Sequence, residues 1–402
     1  MTSQPSATTG DITSSDTTHQ SGTAMTVSHT RRTTMNTPSL TTRALTLVGA
    51  LSVAGLAAGC SGAISSGAPT SSGVCQPKDV TLVQSGRGLE NEYYVAVDAG
   101  AKAFAKSKGI ESQYQWIASD GDSAKQLSQI KSILAKGGKC VVLNVDANES
   151  SVVPAIVKEV EKSGAWLVTQ WNRPDGVTPE ASSAHWVAHM SVDGVPQGYE
   201  TAKALFEKTG GKGNIVALQG ILDNPPAKER FAGLQKALKE NPGIKLLEDQ
   251  TAGWDRTKAQ NITQTFLTKY GEKINGVWTA NDDMALGALE ALKNSGRGNG
   301  TVPVSGVDGL KQAISLVKDP KSGYVVTTQS TAAEQGGFGL AIGYAAATRA
   351  FDPAKEPQAH RSFYLKPLAV ITPANAASIG DPTDTSGLDF SDIWAKAGDP
   401  IK

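Results

Sequence analysis

The run Gly276-Val-Trp-Thr-Ala-Asn-Asp-Asp-Met-Ala-Leu-Gly-Ala-Leu-Glu-Ala-Leu292 changes its period halfway along. Its first half is a short apolar stretch suited to a strand buried on both faces. Its second half spaces Met284, Leu286, Leu289 and Leu292 along one face of a helix. Asn281, Asp282 and Asp283 fall at the joint, which is the C-terminal end of a strand and the N-terminus of a helix. Open α/β sheets bind ligands there, because backbone N–H groups and the helix dipole converge on that edge. The two acids suit the dipole of a helix start, which leaves Asn281 as the better candidate for ligand contact.

Working outward, the same alternation recurs in both directions. Towards the N-terminus, strands are expected at residues 79–85, 113–119, 140–146, 165–171, 186–191, 214–219 and 245–250. Helices are expected between them at 93–108, 123–136, 152–163, 199–209, 227–240 and 258–270. Towards the C-terminus come strands at 302–308, 324–329 and 365–371, with helices at 310–317 and 332–350. Alternation of this length builds right-handed βαβ units and parallel sheets. About ten strands exceed what one compact doubly wound sheet usually holds, so the fold class is α/β with two doubly wound parallel-sheet lobes.

Composition narrows the function. The 402 residues carry 38 basic and 38 acidic side chains, so net charge offers no case for nucleic acid. The three cysteines are far apart and the five histidines scattered, so neither a metal site, a cofactor nor a catalytic set is expected. Gly86-Arg-Gly88 follows a strand but lacks the rest of a nucleotide loop, and the acids at 381, 384, 389 and 392 lie in a Gly/Pro-broken tail read as solvated.

The N-terminus reads as an export leader. Residues 1–43 are Ser/Thr-rich and cannot bury enough surface to order themselves. Residues 44–58 are apolar, too short for a bilayer-spanning helix but suited to a signal-peptide core preceded by Arg31, Arg32 and Arg43. The segment ends Leu56-Ala-Ala-Gly-Cys60, which resembles a bacterial lipoprotein signal with Cys60 as the acylated residue, although Ala57 stands where a large aliphatic residue is usual. An ordinary secretory signal is the alternative. A start at Met35 would give a signal of ordinary length, and no hydrophobic residue follows Arg31-Arg32 promptly enough for a twin-arginine signal. Residues 1–59 are thus leader and signal, and 60–75 a flexible tether. Export implies an oxidising compartment, and Cys75 and Cys140 precede strands that a doubly wound sheet makes neighbours, so they are a candidate disulfide, with two free buried thiols as the alternative.

With Ser305-Gly-Val-Asp-Gly309, the opening run resembles the sugar-binding proteins of bacterial ABC transporters, in their ribose/galactose (type I) family. The resemblance covers about residues 79–371. It implies a periplasmic binding protein of type I, whose lobes would comprise residues 76–192 plus 330–362, and 193–329 plus 363–402 with the tail. They would join through three crossings near 191–194, 329–331 and 362–366, with Asp193 serving hinge or ligand. Residue by residue, it implies ligand contacts from Asn91, Tyr93 and Tyr94, from Asn172 and Arg173 where the family has Asp-Arg, and from Arg230, Trp254, Asn281, Asp308 and Gln329.

Sugar chemistry gives those residue types a reason. Carboxylates, amides and guanidinium groups each bond two adjacent hydroxyls, and aromatic faces stack on C–H patches. Structural roles remain open for several: Tyr93 or Tyr94 could be helix core, and since they face different ways only one is expected to touch ligand strongly; Asp308 could cap a helix; Arg173 could lie on the surface; Trp171 could wall the pocket or belong to its strand. The expected protein is a non-enzymatic, monomeric lipoprotein anchored to the cell membrane outside the cytoplasm. It would capture a monosaccharide or polyol and deliver it to an ABC permease, or, alternatively, signal its occupancy to a membrane kinase or chemoreceptor. A repressor is disfavoured, because a DNA-binding helix-turn-helix would have to precede residue 76 and that region reads as signal and tether.

Overall fold

Two parallel sheets divide the chain between them. The computed structural model describes residues 73–366 and 369–401, and the leader, Cys60 and most of the tether lie outside these. The first half runs β1 (Thr81–Gly86), α1 (Glu92–Ser107), β2 (Tyr114–Ala118), α2 (Ser123–Gly137), β3 (Val141–Asp146), α3 (Val153–Ser163), β4 (Trp166–Gln170), α4 (Pro179–Ser182) and β5 (Trp186–Ser191). The second runs α5 (Gly194–Lys208), β6 (Gly213–Gln219), α6 (Pro225–Glu240), β7 (Ile244–Thr251), α7 (Arg256–Tyr270), β8 (Gly276–Thr279), α8 (Asp282–Asn294), β9 (Val304–Ser305), α9 (Lys311–Lys318) and β10 (Tyr324–Thr328). The chain ends with α10 (Ala332–Ala347), α11 (Gln358–Arg361), β11 (Ser362–Leu365), β12 (Val370–Ile371) and β13 (Ala397–Pro400).

The first sheet has the order β13-β11-β5-β4-β3-β1-β2 and the second β12-β10-β9-β8-β6-β7. All pairings are parallel except those of β13 with β11 and β12 with β10. Central strands such as β3 and β8 are buried at every position, as their mainly apolar sequences suggest, with Asn144 of β3 buried among hydrogen-bond partners. Polar turn residues start the helices: the side chains of Asn91, Asp122, Asp193, Asp255 and Asn281 each accept a backbone N–H of the helix that follows. Asp193, at the first crossing, is therefore a helix cap.

Cys75 and Cys140 are disulfide-bonded, with Cα atoms 5.6 Å apart. The bond ties the entries of β1 and β3, which pair from Thr81 and Val141 onwards. It lies at the opposite end of these strands from the cleft.

Several expectations fail. The single last strand at 365–371 is two strands in different sheets, and the third crossing, expected near 362–366, comes after Leu365 because Ser362–Leu365 pairs with β5. The tail, assigned to the second lobe, returns to the first: β13 extends its sheet, and Phe390 packs on Phe104 and Phe338 at ring separations of 5.3 and 5.1 Å. The Gly/Pro-broken composition of the tail hid this, since its anchors are isolated aromatics without a period. The helix expected from residue 199 begins at Gly194, because Pro196 sits in its first turn, where a missing N–H costs nothing. The strand expected at 302–308 narrows to two residues beside Pro303, which has no N–H to give a ladder.

Helix packing then fixes the site. Gly198 lets α5 lie so close to α6 that a Cβ at that position would stand 1.9 Å from the backbone oxygen of Arg230.

Candidate functional site

The C-terminal ends of the parallel strands in both sheets face one another across a cleft that encloses about 520 Å³, its mouth included. From the first sheet come Asn91, Tyr93 and Tyr94 after β1, Asp146 and Asn148 at the end of β3, and Trp171 and Asn172 after β4. From the second come Asn224 and Arg230 after β6, Trp254 after β7, Asn281 after β8 and Asp308 after β9.

Arg230 is the centre of the second lobe's contribution. It is 3% exposed. Its Nη1 donates to Ala280 O at 2.8 Å and its Nε to Gln197 Oε1 at 3.2 Å, while Nη2 lies 3.3 Å from Asp308 Oδ1. The guanidinium stands 5.2 Å from the ring centroid of Trp171 and 5.8 Å from that of Trp254. Burial pushes the Asp308 carboxyl up to about 6, against the opposing pull of Arg230. Asp308 has φ 116°, a strained conformation for a non-glycine residue, and does not cap α9.

In the first lobe the Tyr94 hydroxyl donates to Asp146 Oδ2 at 3.0 Å and Asn172 Nδ2 to Oδ1 at 3.1 Å. Burial raises Asp146 to about 7, with these bonds and Arg87 acting the other way. Trp171 Nε1 donates to the Tyr93 hydroxyl at 2.6 Å, and the two tyrosine rings meet edge-on at 5.3 Å. Both tyrosines line the cleft, so neither is confined to the core.

Trp171 and Trp254 share an uncommon backbone, with φ of 56° and 65°. Trp254 lies flat against Gly220, where a Cβ would come within 2.0 Å of its Cζ2. Glycine there is what lets the indole reach its position.

The structure thus brings together Asn91, Tyr93, Tyr94, Asn172, Arg230, Trp254, Asn281 and Asp308. Arg173 and Gln329 are not among them. Arg173 turns away from the cleft and donates Nη1 to Val177 O at 3.1 Å. Gln329 is exposed, and its backbone N–H is engaged by Ala369 O at 2.8 Å. Asn281 caps α8 through Met284 N at 3.0 Å while bordering the cleft. Asp282 is buried beneath it in bonds to Tyr324, Thr327 and Leu310, and Asp283 pairs with Arg256 at 2.8 Å, so both acids are structural.

Sequence reasoning missed Arg87, Asp146, Asn148 and Asn224. Asp146 was within reach, since it ends a mainly apolar strand just as Asn281 follows one. Among the described residues no group of three or more His, Cys, Asp or Glu is placed to hold a metal, and no helix is long and apolar enough to cross a membrane.

The rims of the cleft touch. Ser150 Oγ donates to Asp223 O at 3.2 Å, Asn224 Nδ2 to Asn148 O at 3.2 Å, and Gln312 N to Glu92 Oε2 at 3.1 Å. The lobes are in a closed arrangement.

Comparison with known proteins places this geometry. The family described as periplasmic binding protein domain matches residues 85–349. The chain is similar to a xylitol-binding protein of Mycolicibacterium smegmatis, 32% identical over 219 residues that span 54% of this chain and 59% of that protein. It is similar to the ribose import binding protein RbsB of Salmonella typhimurium, 30% identical over 58% of this chain and 74% of that protein. Among solved structures, a twin-arginine translocation pathway signal protein from Burkholderia phytofirmans is 39% identical with a TM-score of 0.76, covering 80% of this chain and 98% of that one. An ABC transporter periplasmic solute binding protein from Actinobacillus succinogenes, with bound D-allose, is 27% identical with a TM-score of 0.64, covering 75% and 100%.

Proposed function

Given that the chain belongs to the periplasmic binding protein family, in its ribose/galactose-like type I form, we propose that it captures a neutral monosaccharide or small polyol in the interlobe cleft and delivers it to an ABC transporter permease. The observation that carries this is a cleft whose charges are matched inside it. Asp308 stands against Arg230, and Asp146, drawn towards its neutral form, stands among Tyr94, Asn172 and the positive field of Arg87. A ligand with net charge would upset that balance, whereas hydroxyls add donors and acceptors without altering it. The indoles of Trp171 and Trp254 offer faces for C–H patches. Asn91, Tyr93, Tyr94, Asn172, Arg230, Trp254, Asn281 and Asp308 are the contacts in this reading; Arg173 and Gln329 are withdrawn from it.

Binding shifts an open/closed equilibrium by bridging the lobes, with no bond made or broken in the solute. Relatives named for xylitol and ribose support the ligand class. The family's character supports a location outside the cytoplasm, and the proposal extends to anchoring through a lipid on Cys60, which mass spectrometry of the membrane-extracted protein would detect as a diacylglyceryl adduct. Thermal-shift screening against pentoses, hexoses, pentitols and inositols tests the ligand class. A native-state ligand must raise the melting temperature, so a screen in which no neutral polyol does so refutes it. Uptake of the identified solute by vesicles carrying the permease tests delivery, and no dependence of uptake on this protein would leave the sensing role in its place.

A further inference from the structure

Trp171 is also a wall of a second cavity between the lobes, about 690 Å³ with its mouth included. Neighbouring residues divide between the two spaces. Asn172, Pro226 and Arg230 line the first, and Arg173, Pro225 and Glu229 the second. The positive φ of Trp171 sets up this division at the end of β4, because it turns the chain just before Asn172 and Arg173 point apart.

The second cavity holds a cation that makes no ion pair, with Glu180, Asp175 and Glu229 acting on it only from beyond 4.0 Å. Arg173 is 6% exposed, yet of its donors only Nη1 meets a protein acceptor among the described residues, and no carboxylate of those residues lies within 4.0 Å of it. Glu229 faces the same space but is already engaged, its Oε2 by Gly194 N at 2.9 Å and its Oε1 by the Tyr364 hydroxyl at 3.2 Å. Asp175, at the mouth, is exposed and pairs with Lys228 at 3.5 Å. The remaining donors of Arg173 have no protein acceptor among the described residues and are left to the cavity, and burial, partly offset by Glu180, lowers the affinity of Arg173 for its proton. Ser191 and the ring of His189 complete the polar side, with His189 Nδ1 held 2.9 Å from Thr169 Oγ1.

We propose that this second cavity is a binding site for a small hydroxycarboxylate, its carboxylate held by the Arg173 guanidinium and its hydroxyls by Ser191, His189 and Tyr364, against the Trp171 ring. A planar monoanion matches the guanidinium fork, and the acids at 175 and 229 act against a phosphate dianion in the same space. Its polar contacts are distinct from those of the first cleft, because Arg173 takes no part in that cleft, although Trp171 walls both. A solute there would touch Pro225 and Glu229 from one lobe and Arg173 and Tyr364 from the other, so it too would favour closure.

Calorimetric titration of the whole protein with glycerate and with gluconate, at an ionic strength fixed with chloride, tests this. Saturable binding is expected in the wild type and in Asp308→Asn, and a loss of at least about tenfold in Arg173→Gln, the scale of one charge-assisted bidentate contact. Because Arg173→Gln could disturb the fold, wild-type protein labelled with ¹⁵N-histidine provides a second measurement, in which either carboxylate should shift the His189 ring resonances in a saturable way. Absence of binding by both acids, unchanged affinity in Arg173→Gln, loss of carboxylate binding in Asp308→Asn alone, or a silent His189 ring would each overturn the proposal. Failure of every neutral polyol to bind would refute the reading of the first cleft and leave this one standing.

Discussion

Replacing Asp282 with Asn should remove a defined part of the pH dependence of stability. Asp282 is wholly buried at the start of α8. Its Oδ1 accepts the Tyr324 hydroxyl at 2.6 Å, both oxygens accept the Thr327 hydroxyl at 2.7 and 2.9 Å, and Oδ2 accepts Leu310 N at 2.8 Å. Burial, with a further push from Asp308, raises its carboxyl from 3.8 to about 8 despite those bonds. Between these values the folded state holds a proton that the unfolded chain has released. Stability contributed by Asp282 is therefore full below the unfolded value and is lost as pH rises through the folded one. At about 1.4 kcal/mol per unit the ceiling over the whole window is roughly 6 kcal/mol. Asn can place its carbonyl towards Leu310 and its amide towards the two hydroxyls, which rotate to accept, so the network survives without a titrating group. Asp146 and Asp308 titrate with the same sign at about 7 and about 6, so the difference should show mainly above neutrality. From pH 7 to 8.5 the wild type should lose on the order of 2 kcal/mol and Asp282→Asn only a small fraction of that. Urea denaturation followed by circular dichroism at constant ionic strength measures both. Equal slopes in the two proteins over that interval would refute the reasoning.

Three further outcomes follow from the cleft and its frame. Asp308→Asn should weaken neutral-polyol binding by roughly tenfold to a hundredfold in calorimetry, the worth of a charged hydrogen bond, and unchanged affinity would remove Asp308 from the site. Gly220→Ala should displace the Trp254 indole, since its Cβ would lie 2.0 Å from Cζ2, and weaken the same binding by about tenfold; wild-type affinity would mean that the ring carries no contact. Reduction of Cys75–Cys140, which are 65 residues apart, should cost up to about 4 kcal/mol in urea denaturation while leaving ligand affinity unchanged, because the bond lies at the far end of the strands; a parallel loss of affinity would contradict that placement.

What was legible in the sequence was whatever a local rule determines. Short, mainly apolar runs located β3 and β8, and the polar residues at their ends located one wall of the cleft, because a parallel strand can end in only one direction relative to its sheet. Asn281 was legible for the same reason that it is useful: an amide at a strand end both caps the helix and borders the cleft. Arg173 was not. Its neighbour Asn172 reaches the cleft, and one residue of backbone rotation at Trp171 decides which of the two does so. No pattern of residue types encodes that rotation when the residue in the left-handed region is a tryptophan instead of a glycine. Gln329 and the tail fail for a related reason, since their positions depend on where the chain leaves one sheet for the other, and two- to four-residue strands carry too little period to show it.

The way the polar groups are paired bears on how the cleft works. Every strong partner of Arg230 lies in its own lobe: Gln197 on α5, Ala280 after β8 and Asp308 after β9. Those of Asp146 likewise come from Tyr94 and Asn172 in the first lobe, as does the Trp171–Tyr93 bond. Opening the cleft therefore breaks none of these contacts, and each half arrives at a ligand already ordered. What opening does break are contacts between the halves: Ser150 to Asp223, Asn224 to Asn148, Gln312 to Glu92 and Tyr364 to Glu229, each worth about 1 kcal/mol net, and the stacking of Arg230 on Trp171. Contacts of that strength are individually weak, so the bonds a solute makes to both halves at once add substantially to the closed form. Preorganised halves joined by individually weak contacts give a clamp whose closure reports occupancy, which is the property both capture and delivery require.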